Sequence, residues 1–276
     1  MCEFCTQHGE GKKWYLQAKN YSEELLNEQR RQFMAEFFGD FEHVIGDKAA
    51  ALDTAIATDA AGARSLFPMI VEQQKRDHWG QVVPVEEIEQ ILDMSLSVVR
   101  VPCVCRSMLR GFREARYCFG VTAASPVSAS KAISVADYPD YKDLEVLDTE
   151  EAKKAIRKLD REGLVHSVWT FISPMIGGIC NCSVNECMAL KTRTRLGLQT
   201  MFKAEYVARV DWENCNGCRN CMKVCNFGAI TYSAYSRKCS VNQLQCFGCG
   251  VCRALCHRDA IKLVERAAIP VLAGEW

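Results

Sequence analysis

Eight of the 17 cysteines in this 276-residue chain fall into two copies of one spacing, C-x2-C-x2-C-x3-C. The copies are Cys215, Cys218, Cys221, Cys225 and Cys246, Cys249, Cys252, Cys256. Two-residue gaps let a tightly turned loop present three thiolates to three corners of an iron–sulfur cubane, and the fourth corner must come from elsewhere. A repeated chain can supply it by exchange, the last cysteine of each run serving the other run's cluster. The expected sets are therefore Cys215, Cys218, Cys221 with Cys256, and Cys246, Cys249, Cys252 with Cys225. Gly217, Gly248 and Gly250 suit a backbone that wraps closely around inorganic sulfide. Zinc is the competing metal, because C-x2-C pairs also build tetrahedral sites, but two identical four-cysteine runs are not its usual arrangement. Cys252, Cys256 and His257 are spaced C-x3-C-H, one residue longer than a haem-attachment string.

On these motifs, residues from about 205 to 265 resemble a bacterial-type two-[4Fe-4S] ferredoxin domain. The resemblance implies two cysteine-ligated clusters that store and pass single electrons. The chain departs from that pattern after each fourth cysteine, where such ferredoxins usually carry proline and this one has Asn226 and His257. These positions read as two surface helix starts; the other reading is added N–H donors near sulfur.

Upstream lie Cys103, Cys105 and Cys118, then Cys180, Cys182 and Cys187, so that a C-x-C pair with a trailing cysteine occurs twice. Alternate residues of a strand face the same way, so both thiols of such a pair can enter one site. The reading is a third metal site shared between the two segments, most simply a third [4Fe-4S] cluster, with structural zinc or a set of buried thiols as alternatives. Cys103 and Cys182 are the first candidates for ligands, and Cys105 the one most apt to face the core. The Pro-Cys-x-Cys-Arg and Ile-Cys-Asn-Cys strings are similar to those of multi-cluster ferredoxin-like proteins of anaerobes. Ser183, Val184 and Asn185 stand where such strings carry further cysteines. Cys2, Cys5 and His8 form a possible metal half-site, and Cys239 reads as an inward-facing small hydrophobe.

The elements needed to hold these groups give an α+β chain in three parts: a helical N-terminal region over 1–83, a small cysteine-rich α+β middle domain over 84–200, and the two-[4Fe-4S] ferredoxin-like domain over 201–276. Helix is expected from Trp14 through Leu25 and on through Phe33, Phe37 and Phe41, and again over 47–63, with a connector from Leu66 to Pro84. Helices over 85–99 and 150–162, the second stopped by Gly163, alternate with strands such as 164–172. The outline of 150–172 is that of a winged helix or a small α+β unit. Residues 122–140 read as loops and strand edges, and 188–204 as a solvated basic linker.

Lys plus Arg and Asp plus Glu each number 34, which gives no basic surplus for nucleic acid. The polar start and the absence of a secretory apolar region in a cysteine-rich chain this long imply a reducing cytoplasm, and no stretch has the length of a membrane helix. No G-x-G-x-x-G fingerprint supports nucleotide binding. The expected function is relay of single electrons between redox partners, as a subunit or partner of an anaerobic oxidoreductase rather than a stand-alone catalyst. A reductase with an open iron upstream, or a ferredoxin fused to a structural zinc domain, are the alternatives.

Overall fold

The computed structural model describes residues 13–39, 47, 51, 54, 58, 64–103, 105–107, 111–112, 114–123 and 144–275. Cys2, Cys5, His8 and Phe41, nearly all of the helix expected over 47–63 and most of the 122–140 segment lie outside these residues.

A seven-stranded sheet forms the body of the molecule. Its strands are β1 (Gly80–Val82), β2 (Ser97–Val101), β3 (Cys118–Thr122), β4 (Glu145–Leu147), β5 (Val165–Thr170), β6 (Ile176–Cys182) and β7 (Met201–Phe202), in the order β4-β2-β3-β6-β5-β1-β7. Every pairing is antiparallel except β1 with β7. The sheet thus takes in strands on both sides of residues 83/84 and 200/201, where the sequence suggests divisions between domains.

Pleating gives the two faces different jobs. One face carries Val98, Phe119, Val121, Val168, Ile176 and Ile179, packed under helices α3 (Val85–Met94) and α4 (Thr149–Arg161) through Ile88, Ile91, Leu92, Ala152, Ile156 and Leu159. Helix α4 starts at a capping box between Asp148 and Glu151 and ends before Gly163, whose φ of +88° suits glycine. The opposite face presents Val82, Val165, Trp169 and Cys182.

Several local expectations are corrected. Trp14 to Leu25 is not one α-helix but three short 3₁₀ turns, Trp14–Leu16, Ala18–Tyr21 and Glu23–Leu25. The helical spacing of Trp14, Ala18, Tyr21 and Leu25 misleads because Trp14, Tyr15 and Tyr21 are individually drawn into the core beside Trp79. The α-helix begins only at α1 (Glu28–Gly39). The supposed connector contains helix α2 (Phe67–Asp77), with proline in its first turn, and strand β1. The 85–99 helix stops at Met94, since Ser97 to Val99 are β-forming and enter β2. The basic linker holds helix α5 (Met188–Leu196), closed by Gly197 at φ +80°, and strand β7. The outline of a winged helix gives way to the seven-stranded sheet.

The C-terminal unit has two small antiparallel sheets, β8 (Tyr206–Val210) with β11 (Ile261–Glu265) and β9 (Ile230–Ser233) with β10 (Lys238–Val241), and two short helices, α6 (Asn220–Val224) and α7 (Val251–Ala254). Buried Glu87 ties the parts together: it accepts from the Tyr15 hydroxyl at 2.6 Å and the Tyr206 hydroxyl at 2.5 Å, and pairs with Lys13 at 3.0 Å.

Candidate metal centres

The first loop brings Cys215, Cys218 and Cys221 around an open cavity that Cys256, from the other run, also lines. Cys225 is turned away to the second run, where it is an electrostatic neighbour of Cys246, Cys249 and Cys252. Each set holds four thiols, the number a cubane cluster needs. Backbone amides face the sulfurs: Ala208 and Gly248 approach Cys246 Sγ at 3.4 Å, Ala229 approaches Cys225 Sγ at 3.3 Å and Ala260 approaches Cys256 Sγ at 3.3 Å. Such donors favour thiolate over thiol.

Two glycines make the loops possible. Gly217 and Gly248 adopt φ +69° and +71°, and an added Cβ would meet Arg237 O at 2.2 Å or Tyr206 O at 2.0 Å. No side chain fits there. Lys238 Nζ donates to the carbonyl of Cys215, and Arg266 Nη2 donates to that of Cys246 at 2.8 Å. Arg266 is fully buried and also donates to Ala204 O and Tyr206 O.

The upstream cysteines gather on the sheet face opposite α3 and α4. The register sets Cys118 directly across from Cys180, and Cys182 follows two residues later on the same side. Cys103 lies just past β2 with its Sγ 3.6 Å from that of Cys118. Cys187 caps α5, accepting from Leu190 N at 3.5 Å, and its thiol neighbours that of Cys182. All six are brought together: Cys180 and Cys182 lie on one strand as the sequence suggests, but Cys105 sits in a helical turn at 105–107, not on a strand, and faces Cys103 and Cys182 instead of the apolar core.

Crowding and burial push the thiols of Cys103, Cys105, Cys118, Cys180 and Cys182 up, toward the protonated form. Burial pushes Cys105 up to about 12, and Cys252 and Cys221 reach about 12 for the same reason. The contact with Cys118, and then burial, raises Cys103 well above the ordinary thiol range. At these positions a bound metal would replace the thiol protons.

Several functional groups escape sequence reasoning. Arg106 is 6% exposed, stacks 3.7 Å from the Tyr117 ring centre, pairs with Glu186 at 2.7 Å and faces the Cys182 and Cys103 thiols, with its Nε unpartnered. The arginine beside Cys105 is the signal that could have marked it. Asn226 is no surface helix start: its side chain accepts from Val184 N at 3.2 Å and donates to Gly163 O at 2.9 Å, joining the second loop system to the sheet. His257 is exposed. Cys239 is buried, as expected of a small hydrophobe, and sits in the first cavity beside Cys221. Phe227 and Phe247 stack at 3.9 Å with planes 6° apart, in one apolar group with Cys182, Cys187, Cys180, Cys225 and Cys249.

Residues 208–231 match the family model of a 4Fe-4S binding domain. The match takes in the first cysteine run and supports at least one [4Fe-4S] cluster. Two curated relatives align over 63 residues: the indolepyruvate oxidoreductase subunit IorA of Pyrococcus horikoshii at 32% identity and that of Pyrococcus abyssi at 30%. The alignment covers 23% of this chain and only 10% of the length of either relative. Among the described residues no helix is long and apolar enough to cross a membrane.

Proposed function

We propose that this chain is an iron–sulfur electron-transfer protein that relays single electrons between redox partners. In this reading Cys215, Cys218, Cys221 and Cys256 hold one [4Fe-4S] cluster, Cys246, Cys249, Cys252 and Cys225 hold a second, and the six upstream cysteines enclose a third centre. Bound clusters supply one-electron storage. The chain's own residues set who can exchange with whom. The observation that carries the relay is the apolar group in which upstream Cys180, Cys182 and Cys187 share neighbours with Cys225 and Cys249. Stacked Phe227 and Phe247 lie in the same group and exclude water from it, while Asn226 holds the two thiol regions in register.

The partial likeness to an oxidoreductase subunit supports a place beside, or within, an oxidoreductase; the cysteine-rich composition supports a reducing, anaerobic cytoplasm. A second reading keeps electron transfer in the C-terminal unit and places zinc upstream. It is favoured by the 3.6 Å separation of Cys103 and Cys118, since tetrahedral bonds of about 2.3 Å set neighbouring sulfurs about 3.8 Å apart.

Metal and sulfide analysis of the anaerobically purified full chain separates the two. The relay requires about twelve iron atoms per chain, falling to about eight in Cys182→Ala/Cys187→Ala. Eight irons with one zinc in the parent protein would establish the second reading.

A further inference from the structure

The two four-thiol sets are unequal in exposure. Cys218 is exposed and the cavity of the first set is open, whereas the second set is covered by the sheet. An electron carried by this chain must leave through a thin edge, and the first set provides one.

The surroundings of that edge identify what it meets. Arg219 and Arg258 line the cavity mouth, and the backbone of Arg237 packs directly on Gly217 of the first loop. All three are exposed, and none forms a salt bridge among the described residues. The carboxylates nearby are mostly engaged: Asp259 pairs with Lys262, and Asp211 accepts from Asn214 and Glu213, which leaves Glu213 against three guanidinium groups, of which that of Arg219 also lies 4.9 Å over the Tyr232 ring. Two aromatic side chains stand clear of the surface beside them: Trp212, 55% exposed and three residues before Cys215, and Tyr235, fully exposed in the turn leading to Arg237. Tryptophan, tyrosine and arginine are the residues that dominate protein–protein binding energy.

Resting on the electron-transfer reading, we propose that the Cys218 edge is the docking face for an external one-electron redox protein whose contact surface is rich in carboxylates. The guanidinium groups steer and orient the partner, and the aromatic pair supplies the apolar contact. Charge complementarity of this kind acts chiefly on association rate and is screened by salt.

The test uses the reduced full-length holoprotein with two small cobalt(III) complexes of opposite charge. One electron passes from the protein to cobalt, which becomes cobalt(II), while the reduced cluster returns to its oxidised state. Anionic tris(oxalato)cobaltate(III) is expected to react at least tenfold faster than cationic hexaamminecobalt(III) at low ionic strength once the two are corrected for driving force, with the gap closing as salt is added. Arg219→Glu/Arg258→Glu is expected to remove that preference, whereas Lys154→Glu, on the exposed side of helix α4 and outside the cavity lining, leaves it in place. A readout that needs no electron transfer is the redox-inert tris(oxalato)chromate(III) ion, which is expected to broaden the Trp212 indole resonance before those of buried Trp14 and Trp79. Equal rates for the two complexes, rates indifferent to the double reversal, or broadening elsewhere would overturn the docking face while leaving an intact iron–sulfur protein. A purified chain without iron would remove the electron-transfer reading, and this inference with it.

Discussion

The two cysteine runs have one spacing and two environments. In the first, Cys218 reaches solvent, Cys215 is held through its carbonyl by half-buried Lys238, and the nearest acid, Asp211, sits at the surface with its carboxyl kept below the usual range by Asn214. In the second, Cys246 and Cys252 are buried, the carbonyl of Cys246 is held by fully buried Arg266, and the nearby acid Glu205 is 1% exposed. Spacing thus sets how many thiols converge, and the segments packed around them set what can reach the result. A duplicated motif need not give two equivalent centres.

The largest effect should come from exchanging the fourth cysteines. Cys225→Ala is expected to remove the buried second centre and spare the first, and Cys256→Ala to do the reverse, each losing about four iron atoms, as followed by iron content and by electron paramagnetic resonance of the reduced protein. If Cys225→Ala instead disturbs the centre of its own run, the crossed sets and the comparison built on them fail.

A smaller effect separates the cations that hold the two loops. Arg266→Met strips hydrogen bonds from three buried carbonyls and should cost several kcal/mol, of order 1–3 for each, with selective loss of the second centre. Lys238→Met removes one partly solvated bond and should cost about 1 kcal/mol or less. Chemical denaturation of the two variants checks the ranking; equal losses would make the environments equivalent after all.

The smallest effect is a pH dependence that Glu205 brings to the second side. Burial, reinforced by Glu87, pushes Glu205 from 4.5 up to about 7, against the pull of Arg266 and Lys13. A carboxyl raised on folding binds more protons in the native state, so its contribution to stability falls as pH rises from about 4.5 to about 7 and stays low above that. Glu205→Gln should therefore leave stability near its parent value at pH 4.5 and raise it at pH 8 by on the order of 2 kcal/mol. Parallel stability profiles for the two proteins would show that Glu205 ionises freely and that the second environment is wetter than its burial suggests.

Much of the candidate site was legible in the sequence because thiol chemistry demands fixed spacing. The two runs, the two C-x-C pairs and the single cysteine trailing each pair name all fourteen cysteines proposed to form three centres. Helix α4 and strands β5, β8, β9 and β11 were legible too, since amphipathic period and glycine stops act within a few residues. What escaped depends on distant partners. Trp14 and Tyr21 mimic a helical stripe because each finds a separate place in a core completed by α3 and α4. Strand β1 is too short to show alternation and exists because β5 and β7 flank it. Asn226 and Arg266 look like ordinary polar residues until the chain returns Gly163, Val184 and Ala204 to them.

The position of Arg266 also bears on how the protein is matured. All four thiols of the second set precede it in the chain, yet its guanidinium is the group that draws the carbonyls of Ala204, Tyr206 and Cys246 together. During synthesis the ligands of this centre therefore leave the ribosome before the side chain that closes over them. In the proposed holoprotein the same closure would shelter a cluster of the second set from chelators and oxidants that reach the Cys218 edge.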